Sequence, residues 1–105
     1  MKIPLHTWYL AIRPKTLWAA IAPVIIGTAM AYGEGKLHIL SAVLAGMAAV
    51  LIQIGTNFAN DYFDFIHGVD HKDRLGPIRV TQAGLVKAQV MKIATILVFS
   101  LAFLV

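Results

Sequence analysis

The sequence predicts an all-α, multi-span transmembrane bundle, with two full spans and the start of a third. Three observations carry that reading. Of the 105 residues, 59% are hydrophobic and only 13% charged, too few polar groups to cover a soluble domain of this size. Two long runs, Thr16 to Gly33 and Ile39 to Asn60, hold no charged residue. Cysteine is absent, so neither disulfides nor thiolate metal sites can brace the chain.

The first span is expected over about residues 14–33. Pro14 stands where a helix begins, and there its missing N–H costs nothing. Trp8, Tyr9 and Trp18 are placed for one membrane interface and Tyr32 for the other. A cleaved signal peptide would share the basic start and the apolar run. Pro23 and the continuation to Tyr32 favour a retained span. Gly33, Glu34, Gly35 and Lys36 form a tight polar turn.

The second span covers about 39–62 and is rich in small residues, among them Ala42, Ala45, Gly46, Ala48, Ala49 and Gly55. Such residues let helix backbones approach closely in lipid. Polar residues from Asp61 to roughly Lys87, with Gly68, Gly76, Pro77 and Gly84 among them, read as a loop with short helical pieces, the loop proper being about 65–87. A third helix is expected from about 89, apolar from Ile93 and still running at Val105. That apolar part, at 1.5 Å per residue, reaches only about 20 Å against a hydrocarbon core of about 30 Å. An N-terminal piece of a longer membrane protein is therefore expected.

Basic residues set the orientation. Lys2, Arg13 and Lys15 precede span one, Lys36 alone lies between the spans, and Lys72, Arg74, Arg79 and Lys87 follow span two. The positive-inside rule puts the N-terminus and the polar loop in the cytoplasm. Four of the five acids, Asp61, Asp64, Asp70 and Asp73, share that loop region with those bases. A nucleic-acid surface would want a basic patch free of such a carboxylate cluster, so nucleic acid is set aside as a partner. His67 and His71 are four apart, but Gly68 between them argues against a shared helical face for zinc.

The most informative run is Asn57 to Asp70. Asn57, Asn60, Asp61 and Asp64 are spaced i, i+3, i+4, i+7, within a sector of roughly 100° on one helix face, and Gln53 extends that stripe one turn back. Ionisable groups at the edge of a span are costly and mark a site by default. Carboxylates flanked by carboxamides suit a hard cation, Mg²⁺ above all, with a substrate phosphate completing its shell. Gly68 can end the helix and turn Asp70 back toward the same place. Lys72, Arg74 or Arg79 can neutralise phosphate charge. The substrate class is an amphiphile, its tail among the spans and its anionic head at the cation. If the head is a diphosphate, metal binding makes it a better leaving group. Tyr62, Phe63 and Phe65 are candidate walls for a carbocation, though aromatics at an interface commonly serve as anchors. The competing view is that the polar residues cap a helix end in solvent, which suits Asp64 and Asp70. Asn57, Asn60 and Asp61 together lower helix propensity with no structural return evident in the sequence.

Asn57, Asn60, Asp61, Tyr62, Asp64, Gly68 and Asp70 together resemble the first aspartate-rich motif of the UbiA superfamily of intramembrane prenyltransferases. Arg13 to Leu17, Pro23 to Ala29, Asp73 to Arg79 and Gln82-Ala83-Gly84 are similar to further family segments, so the resemblance runs over most of residues 8–87. Where many members carry a third acid, this chain has Gly68, and the displaced Asp70 points to the menaquinone branch. The resemblance implies a bundle of about nine spans in a bacterial plasma (inner) membrane, with its cavity open to the cytoplasmic side and to lipid. It implies Mg²⁺ held by two aspartate-rich motifs, a polyprenyl diphosphate donor, and 1,4-dihydroxy-2-naphthoate as acceptor. The acceptor is alkylated with loss of its carboxylate, giving demethylmenaquinone. By the same resemblance Asp61, Asp64 and Asp70 would be metal ligands, with Asp61 and Asp64 essential to catalysis. Asn57, Asn60, Lys72 and Arg74 would face the diphosphate. The second aspartate motif has no counterpart in these residues, so the 105 residues alone are expected to be inactive. Two alternatives remain open: a family member acting on another aromatic acceptor such as 4-hydroxybenzoate, or an inactive membrane remnant or accessory protein.

Overall fold

The computed structural model describes residues 3–67, 81 and 83–105, and every regular element among them is helical. In chain order they are α1 (Leu5–Ile12), a 3₁₀ turn (Pro14–Thr16), α2 (Leu17–Gly33), α3 (Ile39–Ile66) and α4 (Ala88–Leu104). Helix α3 is the central element. It packs along α4 and α2, and α1 folds against its C-terminal half.

The first apolar stretch is not one rod. Helix α1 stops at Arg13, a non-glycine residue in the left-handed region at φ 56°, ψ 68°. The reason is local: a residue preceding proline is pushed out of the right-handed helical region, and Pro14 follows. Pro14 then opens the 3₁₀ turn that leads into α2, as its position predicts. The 3₁₀ turn and α2 together cover residues 14–33, and α1 is a further helix ahead of them that was not expected from the sequence. Trp8 also departs from a purely interfacial role, since its ring packs on Phe58 of α3 with centroids 5.7 Å apart. Tyr9, Trp18 and Tyr32 are exposed.

The turn after α2 is closed by backbone bonds. The Lys36 N–H donates to the Ala31 carbonyl at 2.8 Å and the Gly35 N–H to that of Tyr32 at 3.0 Å, with Gly35 at φ +72°. That is a Schellman arrangement, and it requires the left-handed glycine. His38 caps α3, its Nδ1 accepting from the Ser41 N–H at 3.2 Å.

Helix α3 runs to Ile66, so residues expected at the start of the loop are still helical. Its 28 residues reach about 42 Å, some two turns more than a hydrocarbon core needs. Counted from Ile39, the surplus turns begin near Asn60, which lifts the acidic residues to the membrane edge. Helix α4 starts at Ala88, one residue from the expected boundary.

The best-buried apolar residues, Ala11, Phe58, Val86 and Met91, gather at this same end of α3, and Tyr62 and Val90 lean on them. Elsewhere the surface is apolar: Ile25, Ile26, Leu40, Ile96, Leu97 and Phe103 are all exposed. Patches on that scale fit lipid or partner helices, not water. Leu5–Gly33 and Ile39–Ile66 are each long and apolar enough to cross a membrane.

Candidate functional site

The stripe predicted on α3 is helical throughout, but its residues do not share one environment. Asn57 and Asp61 point into the packed end and are 2% and 3% exposed. Asp64 is half-buried and Asn60 exposed. The four thus straddle the boundary between core and open surface.

Asn57 has the structural use that the sequence did not reveal. Its Nδ2 donates to the Ile12 carbonyl at 2.8 Å and to Thr16 Oγ1 at 2.8 Å. Its Oδ1 accepts from Gln53 Nε2 at 3.2 Å. Thr16 Oγ1 in turn donates to the Arg13 carbonyl at 2.8 Å. One buried carboxamide therefore ties α3 to both sides of the Arg13 corner. A left-handed conformation at a non-glycine residue costs about 1–2 kcal/mol, so a corner of this kind persists only when its surroundings hold it.

One turn further on, Asp61 receives the chain as it returns toward α4. The Thr81 backbone N–H lies 3.3 Å from each of the two carboxylate oxygens. Thr81 is itself 3% exposed, and its hydroxyl has no hydrogen-bond partner among the described residues. Val86 and Met91 are buried in the apolar cluster that also holds Ala11 and Phe58. Tyr62 is half-buried on the core, whereas Phe63 and Phe65 are largely exposed. The Phe63 ring meets Tyr62 edge-on at 5.2 Å and stacks on His67 at 6.1 Å.

Of the predicted site residues, Asn57, Asn60, Asp61 and Asp64 lie within two turns of one another on α3. Asp70, Lys72, Arg74, Arg79 and the Gly68 turn fall outside the described residues. Thr16, Arg13 and Thr81 were not among the predicted site residues. Arg13-Pro14 carried a usable signal, because an X-Pro pair ends a helix. Thr81 carried none, since its link to Asp61 spans a separation of 20 residues.

The donor set suits a hard cation. The oxygens at hand are those of Asp61, Asp64 and the Asn60 carboxamide on α3, and the hydroxyl of Thr81, whose backbone N–H meets Asp61. Among the described residues no three His, Asp or Glu side chains converge. Two carboxylates with neutral oxygens are what Mg²⁺ ordinarily takes from a protein when phosphate supplies the remaining ligands.

The chain is 46% identical over 92 residues to 1,4-dihydroxy-2-naphthoate octaprenyltransferase of Escherichia coli (strain K12), covering 88% of this chain and 30% of that protein. It is 37% identical over 102 residues to the protein of the same name in Haemophilus influenzae, covering 95% of this chain and 33% of that one. A vertebrate relative, UbiA prenyltransferase domain-containing protein 1 of Xenopus tropicalis, is 40% identical over 67 residues, covering 63% of this chain and 19% of that protein. The chain spans about a third of the length of the first two relatives. No family model and no solved structure matches it.

Proposed function

From the premise that this chain belongs to the UbiA family of membrane prenyltransferases, we propose that it forms the first metal–diphosphate half-site of an enzyme that prenylates 1,4-dihydroxy-2-naphthoate. The observation that carries this reading is the pair Asp61 and Asp64 on the surplus turns of α3, one buried and one half-buried beside an orphaned hydroxyl. The names of the relatives supply the donor and acceptor classes.

In this reading Asp61 and Asp64 hold Mg²⁺ and Asn60 faces the diphosphate. By the family resemblance, Asp70 would add a metal ligand and Lys72 and Arg74 would meet the diphosphate. Mg²⁺ held by Asp61 and Asp64 would supply charge neutralisation for the departing diphosphate. The allylic C1–O bond breaks with its electron pair leaving on diphosphate. The acceptor ring carbon then bonds to C1, and its carboxylate departs as CO₂. Asp61 is 3% exposed, and a carboxylate shielded from water holds a cation more strongly. Asn57 holds the frame, its carboxamide being engaged with Ile12, Thr16 and Gln53. The membrane is a bacterial plasma membrane, with the N-terminus on its cytoplasmic side.

The test joins residues 1–105 ahead of the remaining two thirds of the Escherichia coli relative, in cells lacking that relative. The joined protein should restore prenylated naphthoquinone. Asp61→Ala and Asp64→Ala should each abolish it, and Asp61→Asn, which keeps shape but drops the charge, should fail nearly as badly. Near-normal turnover by Asp61→Asn at ordinary Mg²⁺ would place the metal elsewhere. Residues 1–105 as a separate chain should insert in membranes yet form no product, because one aspartate motif leaves the diphosphate charge partly unneutralised.

A further inference from the structure

Thr81 combines two observations that ordinary packing does not reconcile. Its backbone N–H is fixed on the Asp61 carboxylate, 3.3 Å from both oxygens. Its hydroxyl, three covalent bonds from that nitrogen, is buried and meets no partner among the described residues. A buried hydroxyl that accepts and donates nothing is a cost, and a valine of the same shape would avoid it. The same position would keep its backbone bond to Asp61 without the oxygen.

We propose that the Thr81 hydroxyl is a neutral oxygen ligand of the divalent cation held by Asp61. This rests on the metal–diphosphate reading above and extends it to a residue on the return of the polar loop. Charge decides for the cation over the phosphate. Beside an ionised carboxylate, a phosphate oxygen is repelled unless a cation stands between them, whereas a cation is attracted to the carboxylate and the hydroxyl lone pair alike. A neutral hydroxyl paired with an aspartate is a familiar Mg²⁺ ligand set in P-loop nucleotide hydrolases. The arrangement also gives the loop a function. By pinning the Thr81 backbone to Asp61, the fold brings a ligand from outside α3 onto the same ion, and so ties the position of the loop's return to occupancy of the site.

The experiment compares Thr81→Val and Thr81→Ser in the joined protein, purified in detergent. Mn²⁺ stands in for Mg²⁺, and its binding is followed by electron paramagnetic resonance with and without inorganic pyrophosphate. Thr81→Val keeps the backbone N–H and the side-chain shape. It should weaken Mn²⁺ binding by roughly tenfold in both conditions, while the metal-free thermal midpoint stays unchanged or rises. Thr81→Ser, which restores the hydroxyl, should recover most of that affinity. A fall in the metal-free midpoint with Mn²⁺ affinity unchanged would make the hydroxyl structural and overturn the proposal. So would a loss confined to the pyrophosphate-dependent part, which would make it a phosphate donor. Asp64→Asn serves as the control for the site itself. If it weakens Mn²⁺ binding and Thr81→Val does not, the ligand assignment fails and the site stands. If neither variant changes Mn²⁺ binding, the metal reading of this end of α3 fails as well.

Discussion

Replacing Asn57 by Ala should loosen the Arg13 corner from α3 before it affects anything else. Asn57 makes two interhelical hydrogen bonds, to the Ile12 carbonyl and to Thr16 Oγ1, both 2.8 Å long. Such bonds between membrane helices average about 0.6 kcal/mol with a ceiling near 1.7, which puts the pair at ~1–3 kcal/mol. The i, i+4 bond from Gln53 adds about 0.2–0.5 kcal/mol. The expected loss is therefore about 1.2–3.5 kcal/mol. Asn57→Asp should be at least as damaging. The Thr16 hydroxyl spends its proton on the Arg13 carbonyl, so an aspartate there would confront two acceptor oxygens with no proton to offer. The assay is SDS titration in mixed micelles, in a Trp18→Phe background so that emission reports Trp8 against Phe58. In Asn57→Ala the Trp8 signal should turn over at lower SDS than the helix content measured by circular dichroism, because α1 loses its tie while α3 and α4 stay paired. A double-mutant cycle with Thr16→Val should return a coupling of about 0.6 kcal/mol or more. A single variant within about 0.3 kcal/mol of wild type, together with zero coupling, would show that the bonds hold nothing. Asn57 would then be available to a ligand.

Two further outcomes test the packing and the orientation. A Cβ added at Gly55 would lie 2.7–3.0 Å from the Phe99 ring, so Gly55→Ala should lose about 1 kcal/mol although alanine is the better helix former, and Phe99→Leu should recover it. Greater stability of Gly55→Ala in the same SDS titration would show that α3 and α4 do not meet there. A reporter inserted near Gly35 should read as external and one near Asp73 as cytoplasmic, following the uneven basic residues. The reverse pattern would put the acidic end of α3 on the external face and overturn the assigned orientation.

Helices α2, α3 and α4 were legible in the sequence, because each rests on a signal confined to a few turns. Charge-free runs gave α2 and α3, Gly35 gave the turn between them, and the i, i+3, i+4, i+7 spacing put Asn57, Asn60, Asp61 and Asp64 on one face. Helix α1 and its break at Arg13 were not read from the sequence, although Pro14 after Arg13 is a signal for such a break. Spacing establishes that residues share a face, but it is silent on what that face meets. Only the docking of α1 and the return of the chain at Thr81 decided that Asn57 and Asp61 are buried while Asn60 stays exposed. Those contacts join residues 45, 41 and 20 positions apart, and no local propensity encodes them. The sequence placed four polar groups at the edge of a span. The tertiary structure buried two of them and fastened Asn57 to the frame, because a side chain's role follows from the groups packed against it.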